Sequence, residues 1–365
     1  MKRNREGRHE YDYGDGGSWV RGPLIGKGSF GCVFLAHNRK KGGCFPSAMA
    51  VKSCELSFSA SLQKEREILG NLDGCSNVLR CFGNETTTSE DGQKTIYNLL
   101  LEFASGGTLG AFIRKNAAVA ALIPESDVRG YTRAILRGLQ HIHAWGYVHC
   151  DLKPDNILLF APNSASGSGK FVPKIADFGL AKRRSVQDPC FRGTLLYMSP
   201  ESLVHGIQGP PSDIWALGCV VLEMLTGRPP WGGAADLDRN GLLSRIQTLT
   251  ELPKVPNSLS IEAWDFLKRC FARKPRFRPT AEQLLNHPFV ARSYRKEYET
   301  ETNGFGQEEK DNKEEDVVNP IRGLSGKGTD DEHSSFSTYY QSFSSEDFFS
   351  SLSEEVIFPI IPSSE

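Results

Sequence analysis

The eight residues His149-Cys150-Asp151-Leu152-Lys153-Pro154-Asp155-Asn156 put an acid, a cation and an amide close together. Asp151 can accept a proton from a substrate hydroxyl. Lys153, two positions on, can neutralise phosphate charge, and Asn156, five positions on, can hold a metal ion. About twenty residues later Asp177-Phe178-Gly179 offers a second carboxylate suited to Mg2+. Phosphoryl transfer needs this set, because its catalysis is mostly positioning and charge neutralisation. Far upstream, Ile25-Gly26-Lys27-Gly28-Ser29-Phe30-Gly31-Cys32-Val33 carries a G-x-G-x-x-G spacing. Glycines there let main-chain N–H groups come close to phosphates.

The elements around these residues can be read from apolar periodicity. Trp19-Val20 begins a first strand, and Cys32–Ala36 reads as a second. The glycines therefore sit in a hairpin, whereas a dinucleotide-binding fold needs a helix directly after them. Ala48–Lys52 is a third strand that ends in a lysine. Residues 60–72 form a helix with Leu62, Ile68, Leu69 and Leu72 on one side. Glu65 shares that side, and Glu67 lies roughly opposite, so Glu65 is the better placed for a partner inside the fold and Glu67 is the alternative. Residues 77–83 and 97–103 read as two further strands, with a polar turn from Glu85 to Lys94 between them. Residues 127–145 form a long helix whose Ile135, Leu139 and Ile142 point one way, toward the catalytic loop. Ile157–Phe160 is a strand, and 161–170 is a hairpin tip with no assigned chemistry. Gly218–Met224 belongs to a large apolar helix, and apolar periodicity is lost beyond residue 290.

The chain has 365 residues, 39% apolar and 24% charged, with a net charge of −1. Those values suit a globular protein, and nothing in the total points to nucleic acid or membrane. The distribution is uneven. Residues 291–365 hold seven Lys/Arg and seventeen Asp/Glu, a net of −10, which leaves +9 on the preceding 290. That split is expected of a phosphate-handling domain followed by an acidic tail. The nine cysteines have no zinc spacing and read as free thiols in a reducing compartment. The start, Met1-Lys2-Arg3-Asn4-Arg5, precedes no apolar run and lacks a myristoylation signal. It reads as a solvated arm, with a nuclear address as the alternative. The expected location is the cytoplasm, with the nucleus as a second site.

In their order, these motifs resemble those of the protein kinase superfamily. The resemblance covers residues 19–290 and implies an α+β, bilobal protein kinase fold: a β-rich small lobe with one regulatory helix, and an α-helical large lobe. Residues 1–18 would be a flexible basic arm, and 291–365 a largely disordered regulatory or docking tail with apolar islands at Phe348-Phe349 and Val356–Ile361. Asp151 is implied as the base, Lys153 and Lys52 as phosphate cations, and Glu65 as the ion-pair partner of Lys52. Asn156 and Asp177 would hold Mg2+ or Mn2+. ATP would lie against Ile25, Gly26, Gly28, Gly31, Val33 and Ala50. Its adenine would meet the backbone at Glu102-Phe103-Ala104, behind which Leu101 lines a back pocket; Leu101 and Ala104 read equally as core and loop residues.

D-x-K-P in the catalytic loop is similar to Ser/Thr kinases, so Thr194 would touch Asp151 and Lys153 and help shape a Ser/Thr site. Glu201 and Arg278 would form a structural pair, and Asp213 would bond the catalytic-loop backbone. Two positions depart from the pattern: Ser199 stands where Ala is more common, and Cys150 where many members carry Arg. A thiol cannot attract a phosphorylated activation loop, and Ser185 is the only hydroxyl between Asp177-Phe178-Gly179 and Thr194. Weak dependence on activation-loop phosphate is expected. Cys150 reads as a buried inert thiol, with a redox switch as the other reading. Three phrases, Trp19–Gly22, Leu101–Gly107 and Gly193–Glu201, are similar to plant MEKK-like MAP kinase kinase kinases. That implies MAP kinase kinase substrates and a stress-signalling setting. The apolar islands of the tail would dock on a regulator or back on the kinase domain, with unimportant apolar residues as the other reading, and no nucleic-acid or membrane partner is expected. A Ser/Thr kinase outside that cascade and a pseudokinase scaffold are the alternatives.

Overall fold

Alternating burial and tight turns build the small lobe. Strands β1 (Trp19–Gly28), β2 (Gly31–Asn38), β3 (Ala48–Glu55), β4 (Cys81–Thr88) and β5 (Thr95–Glu102) form one antiparallel sheet in the order β1-β2-β3-β5-β4. This computed structural model describes residues 13–28, 30–39, 45–161, 170–186, 192–232, 239–247 and 251–291. Residues 1–12, Ser29, Cys44, Cys190, most of the 161–170 tip and the chain beyond 291 lie outside the described residues. The seven described cysteines are free thiols.

The register of the sheet fixes what faces the cleft. Val33 lies opposite Lys52, Lys52 opposite Leu99, and Ala50 opposite Leu101, so these side chains share one face. The other face packs Trp19, Ala36, Met49, Val51 and Leu100 into a small core of its own. Helix α1 (Ala60–Asn71) lays Leu62, Glu65, Ile68 and Leu69 inward, while Glu67 is exposed.

One part of the expected strand pattern shifts. Residues 77–79 pair with the large lobe instead: Leu79 N–H donates to Ile175 O at 2.9 Å, and Ile175 N–H donates to Asn77 O at 2.9 Å. Strand β4 starts at Cys81 and continues through Glu85–Thr88, which the sequence reading assigned to the turn. Those residues are polar because β4 is an edge strand with one face in water, and threonine suits such a surface. The turn itself is Ser89–Lys94, held by Ser89 N–H on Lys94 O.

The large lobe is helical. Helix α2 (Leu109–Ala118) is capped by the Thr108 hydroxyl on Ala111 N–H. Helix α3 (Glu125–Ala144) starts just before the expected point, after Pro124, with Glu125 and Asp127 in its first turn. Its Ile135, Leu139 and Ile142 are fully buried. The short strands β6 (Tyr147–Val148), β7 (Ile157–Phe160), β8 (Val172–Ile175) and β9 (Lys182–Arg183) pair as β6 with β9 and β7 with β8. Helices α4 (Pro200–His205), α5 (Pro210–Thr226), α6 (Arg239–Gln247), α7 (Ile261–Cys270) and α8 (Ala281–Leu285) follow. α5 is buried from Ser212 to Leu225, as expected of a helix apolar on every side. Among the described residues no helix is long and apolar enough to cross a membrane.

Candidate active site

Lys52 reaches two carboxylates. Its Nζ donates to Glu65 Oε2 at 2.7 Å and to Asp177 Oδ1 at 3.0 Å. Glu65 accepts a second bond, from Phe178 N–H, at 3.1 Å. One salt-bridged chain thus links β3, α1 and the Asp177-Phe178-Gly179 turn. Burial alone would lower the Lys52 pKa, but Glu65 and then Asp177 raise it above the ordinary lysine value. Burial pushes Glu65 up. Asp177 resists the same burial effect, because Lys52 holds it below the usual carboxylate range. Removing one member of such a buried pair costs about 3–5 kcal/mol, since a charge is left unpaired.

The hairpin above this pair leaves its main chain open. A Cβ on Gly28 would meet no protein atom within 4 Å, and one on Gly26 would meet only Val33, at an ordinary 3.7 Å. Packing does not call for glycine at either position, whereas close approach by a phosphate does. Gly31 is different: its φ is +141° and a Cβ would lie 2.4 Å from Ser53 O, so the hairpin itself requires it. Ile25 is 47% exposed, and Val33 and Ala104 are half-buried beside the buried Ala50 and Leu101.

The catalytic loop turns on Cys150, whose φ of +67° is left-handed. Asp213, in the first turn of α5, holds that turn by accepting from His149 N–H at 2.9 Å and Cys150 N–H at 3.0 Å. His143 Nε2 lies 2.8 Å from the same carboxylate. Asp151 is then filled with donors. Lys153 Nζ and Asn156 Nδ2 lie 2.9 and 3.1 Å from Oδ2, and the Thr194 N–H and hydroxyl both lie 2.8 Å from Oδ1. Lys153 also donates to the Thr194 hydroxyl at 2.7 Å. Asn156 Nδ2 donates to Asp151 O as well, which assigns the amide and leaves Oδ1 as its ligand atom. Among the described residues no group of three His, Cys, Asp or Glu is placed to hold a metal. A site built on Asn156 and Asp177 suits Mg2+, which typically takes one or two carboxylates and completes its shell with water and phosphate oxygens.

Gly193 comes against this loop with φ +110°, and a Cβ there would sit 2.6 Å from Cys150 O. Glu201 meets Arg278 in a bidentate pair, Oε1 to Nη1 at 2.5 Å and Oε2 to Nη2 at 2.7 Å. Ser185 is exposed, in the turn after β9. Cys150 is buried, and burial pushes its thiol up to about 12. The structure therefore brings Lys52, Glu65, Asp177, Asp151, Lys153, Asn156 and Thr194 into two connected clusters, and sets Glu201, Arg278 and Asp213 behind them as supports.

Several contacts between distant residues went unread in the sequence. Glu102 was chosen for its backbone, yet its side chain binds Lys174 of β8 at 2.8 and 2.6 Å and ties the end of β5 to the large lobe. Lys174 also lies over the Phe160 ring at 4.5 Å. Leu158 is only half-buried in the otherwise buried β7 and packs at the edge of the core. The Tyr197 hydroxyl donates to Glu223 Oε2 at 2.7 Å, and Gln208 Nε2 donates to Arg192 O at 2.7 Å. No local pattern marks these pairs, because each joins distant parts of the chain.

Comparison with known proteins gives the same picture. Residues 19–290 match the protein kinase domain family. Mitogen-activated protein kinase kinase kinase 20 of Arabidopsis thaliana is 44% identical over 281 residues, covering 74% of this chain and 78% of that protein. Mitogen-activated protein kinase kinase kinase 17 of the same plant is 41% identical over 279 residues, 74% of this chain and 69% of that one. Number 18 is 40% identical over 284 residues, 75% and 77% of the two chains. Protein kinases in general use ATP and Mg2+. The chain belongs to the protein kinase family, as a eukaryotic Ser/Thr kinase of the MAP kinase kinase kinase group.

Proposed function

We propose that the chain transfers the γ-phosphoryl group of ATP to Ser or Thr hydroxyls of MAP kinase kinases. The observation that carries this reading is the Asp151 cluster. A buried carboxylate shares Lys153 and Thr194 in one hydrogen-bonded set, at the point where an acceptor hydroxyl and a phosphate must meet. Asp151 orients the hydroxyl and takes its proton, Lys153 offsets charge on the transferring group, and Lys52, held by Glu65, anchors the remaining phosphates. Asn156 Oδ1 and the Asp177 carboxylate are the ligands for Mg2+, which neutralises phosphate charge when bound. The names of the plant relatives support the choice of acceptor. Turnover depends only weakly on activation-loop phosphate in this reading, because Cys150 supplies no cation to receive one. Regulation enters through residues 291–365, whose islands Phe348-Phe349 and Val356–Ile361 suit a docking partner. Deleting them without any change in partner capture would remove that part.

The test is phosphate transfer by phosphatase-treated protein to an inactive MAP kinase kinase, with Asp151→Asn and Lys52→Met as controls. Transfer abolished by both substitutions is the expected result. ATP binding without transfer in the parent protein would sink the proposal and point to a scaffold. A tenfold gain from Ser185→Asp would overturn the autonomy from phosphate.

A further inference from the structure

The activation segment has to be held in place for Thr194 to reach Asp151, and Cys150 brings no charge to hold it. The described contacts show what takes that part. Upstream, β9 pairs with β6, and Arg184 N–H donates to Gly146 O at 2.8 Å. Residues 187–191 lie outside the described residues. On the far side, a side-chain contact comes at Arg192, whose carbonyl accepts from Gln208 Nε2 at 2.7 Å. The next residue, Gly193, closes on Cys150 O, and the one after it is Thr194.

Gln208 is well placed to act as a fixed post. It is 8% exposed and sits between α4 and α5, in a loop braced from several sides. Gly206 is left-handed at φ +64°, and Ile207 N–H donates to Glu201 O. The Ser202 hydroxyl donates to Ile207 O at 3.1 Å and lies 3.3 Å from Ser212 Oγ, while Ser199 Oγ lies 2.7 Å from Ser202 Oγ. The Ser212 hydroxyl donates to Glu201 Oε1 at 3.2 Å, the same carboxylate that binds Arg278. Ser199, where Ala is more common, thus joins a hydroxyl chain that runs from the Glu201–Arg278 pair to the Gln208 loop. Gln208 also lines a small cavity with Cys150, Asp151, Thr194, Ser199 and Ser202. Its Oε1 is buried with no hydrogen-bond partner among the described residues, so the side chain is held there by its amide N–H group. A buried amide held at one end only makes that one bond, to Arg192 O, the contact that fixes its position.

We infer that Gln208 is a positioning residue that pins the activation segment at Arg192 and so sets Thr194 on Asp151 without phosphate. The inference rests on the proposed transfer reaction. Gln208→Ala removes the donor and the side chain; Gln208→Glu keeps the size but replaces the donor with an acceptor facing Arg192 O. Both are made in the full chain, treated with phosphatase, and assayed for KM and kcat toward a protein acceptor and KM for ATP. Amide hydrogen exchange is followed over residues 192–197, and melting is recorded with and without MgATP. The expected result is a fall of about tenfold in kcat/KM for the acceptor, in line with loss of a buried hydrogen bond. KM for ATP stays within about twofold, the MgATP melting shift is retained, and exchange at Thr194 speeds up in both variants. Parental acceptor kinetics, or equal losses in acceptor and ATP use, would overturn the assignment. If the parent protein transfers no phosphate, the reaction itself is wrong. The exchange data then still decide the anchor, and unchanged exchange at Thr194 refutes it.

Discussion

The two carboxylates at the centre of this kinase are held in opposite ways. Asp151 is 9% exposed, and its donors Lys153, Asn156 and Thr194 all come from its own lobe. Asp177 has a side chain that is 35% exposed, and its cation is Lys52, from the other lobe. Both sit at left-handed turns, Cys150 at φ +67° and Asp177 itself at +62°. Such a conformation costs a non-glycine residue about 1–2 kcal/mol, so the surroundings must enforce it. At Cys150 the enforcement is Asp213, buried in α5. At Asp177 the first bond on its carboxylate comes from a lysine whose stance depends on α1. Asp151, the proposed base, is therefore held by the large lobe, and Asp177, the proposed metal ligand, answers also to the small lobe.

Substitutions can break this contrast. Asp151→Asn should lower kcat by about a thousandfold while nucleotide affinity stays near parental, as measured by phosphate transfer and ATP titration. Glu65→Gln should act from the other lobe. We expect a loss of about ten- to a hundredfold in kcat/KM for ATP, with faster hydrogen exchange in α1, because Lys52 loses its buried partner. If Glu65→Gln instead spares ATP and slows only acceptor use, the two carboxylates are not separately governed. Lys174→Ala, which frees Glu102, should change KM for ATP by only a few-fold in steady-state assays, as one partly exposed pair is worth little. The smallest effect belongs to Cys150. Its thiol titrates near 12, so the thiolate fraction grows tenfold per pH unit and is on the order of one in ten thousand at pH 8. Iodoacetamide at that pH should leave Cys150 unmodified in the folded chain by mass spectrometry, and label it after unfolding. Rapid labelling of the native protein would restore the redox reading.

How much of this was visible in the sequence follows from distance along the chain. The Asp151–Lys153–Asn156 group lies within six residues, and its roles follow from spacing. Lys52 was found through the kinase resemblance, which places a lysine at this distance after the glycine loop, and the resemblance called for a glutamate on the helix that follows. Glu65 was separable from Glu67 by helical period alone, and burial agrees. Residues 77–79 were read as part of the β4 strand but pair with the large lobe, and residues 85–88 were misread because polarity was taken for a turn, although an edge strand tolerates it. Glu102–Lys174 and Gln208–Arg192 stayed hidden for another reason. Their partners are set by how lobes and loops come together, and a single glutamine in a loop carries no periodicity.

The main-chain use of position 150 has a consequence for how control of this enzyme can change. The N–H of Cys150 goes to Asp213, and its carbonyl faces Gly193. Among the described residues, the hydrogen bond recorded for its buried side chain is a 3.6 Å thiol contact to Val148 O. The loop's shape and its electrical input are thus separable inheritances. On the proposed reading, the charge at this one position can be given up without remaking the main-chain turn, provided that another residue takes over the holding of the segment.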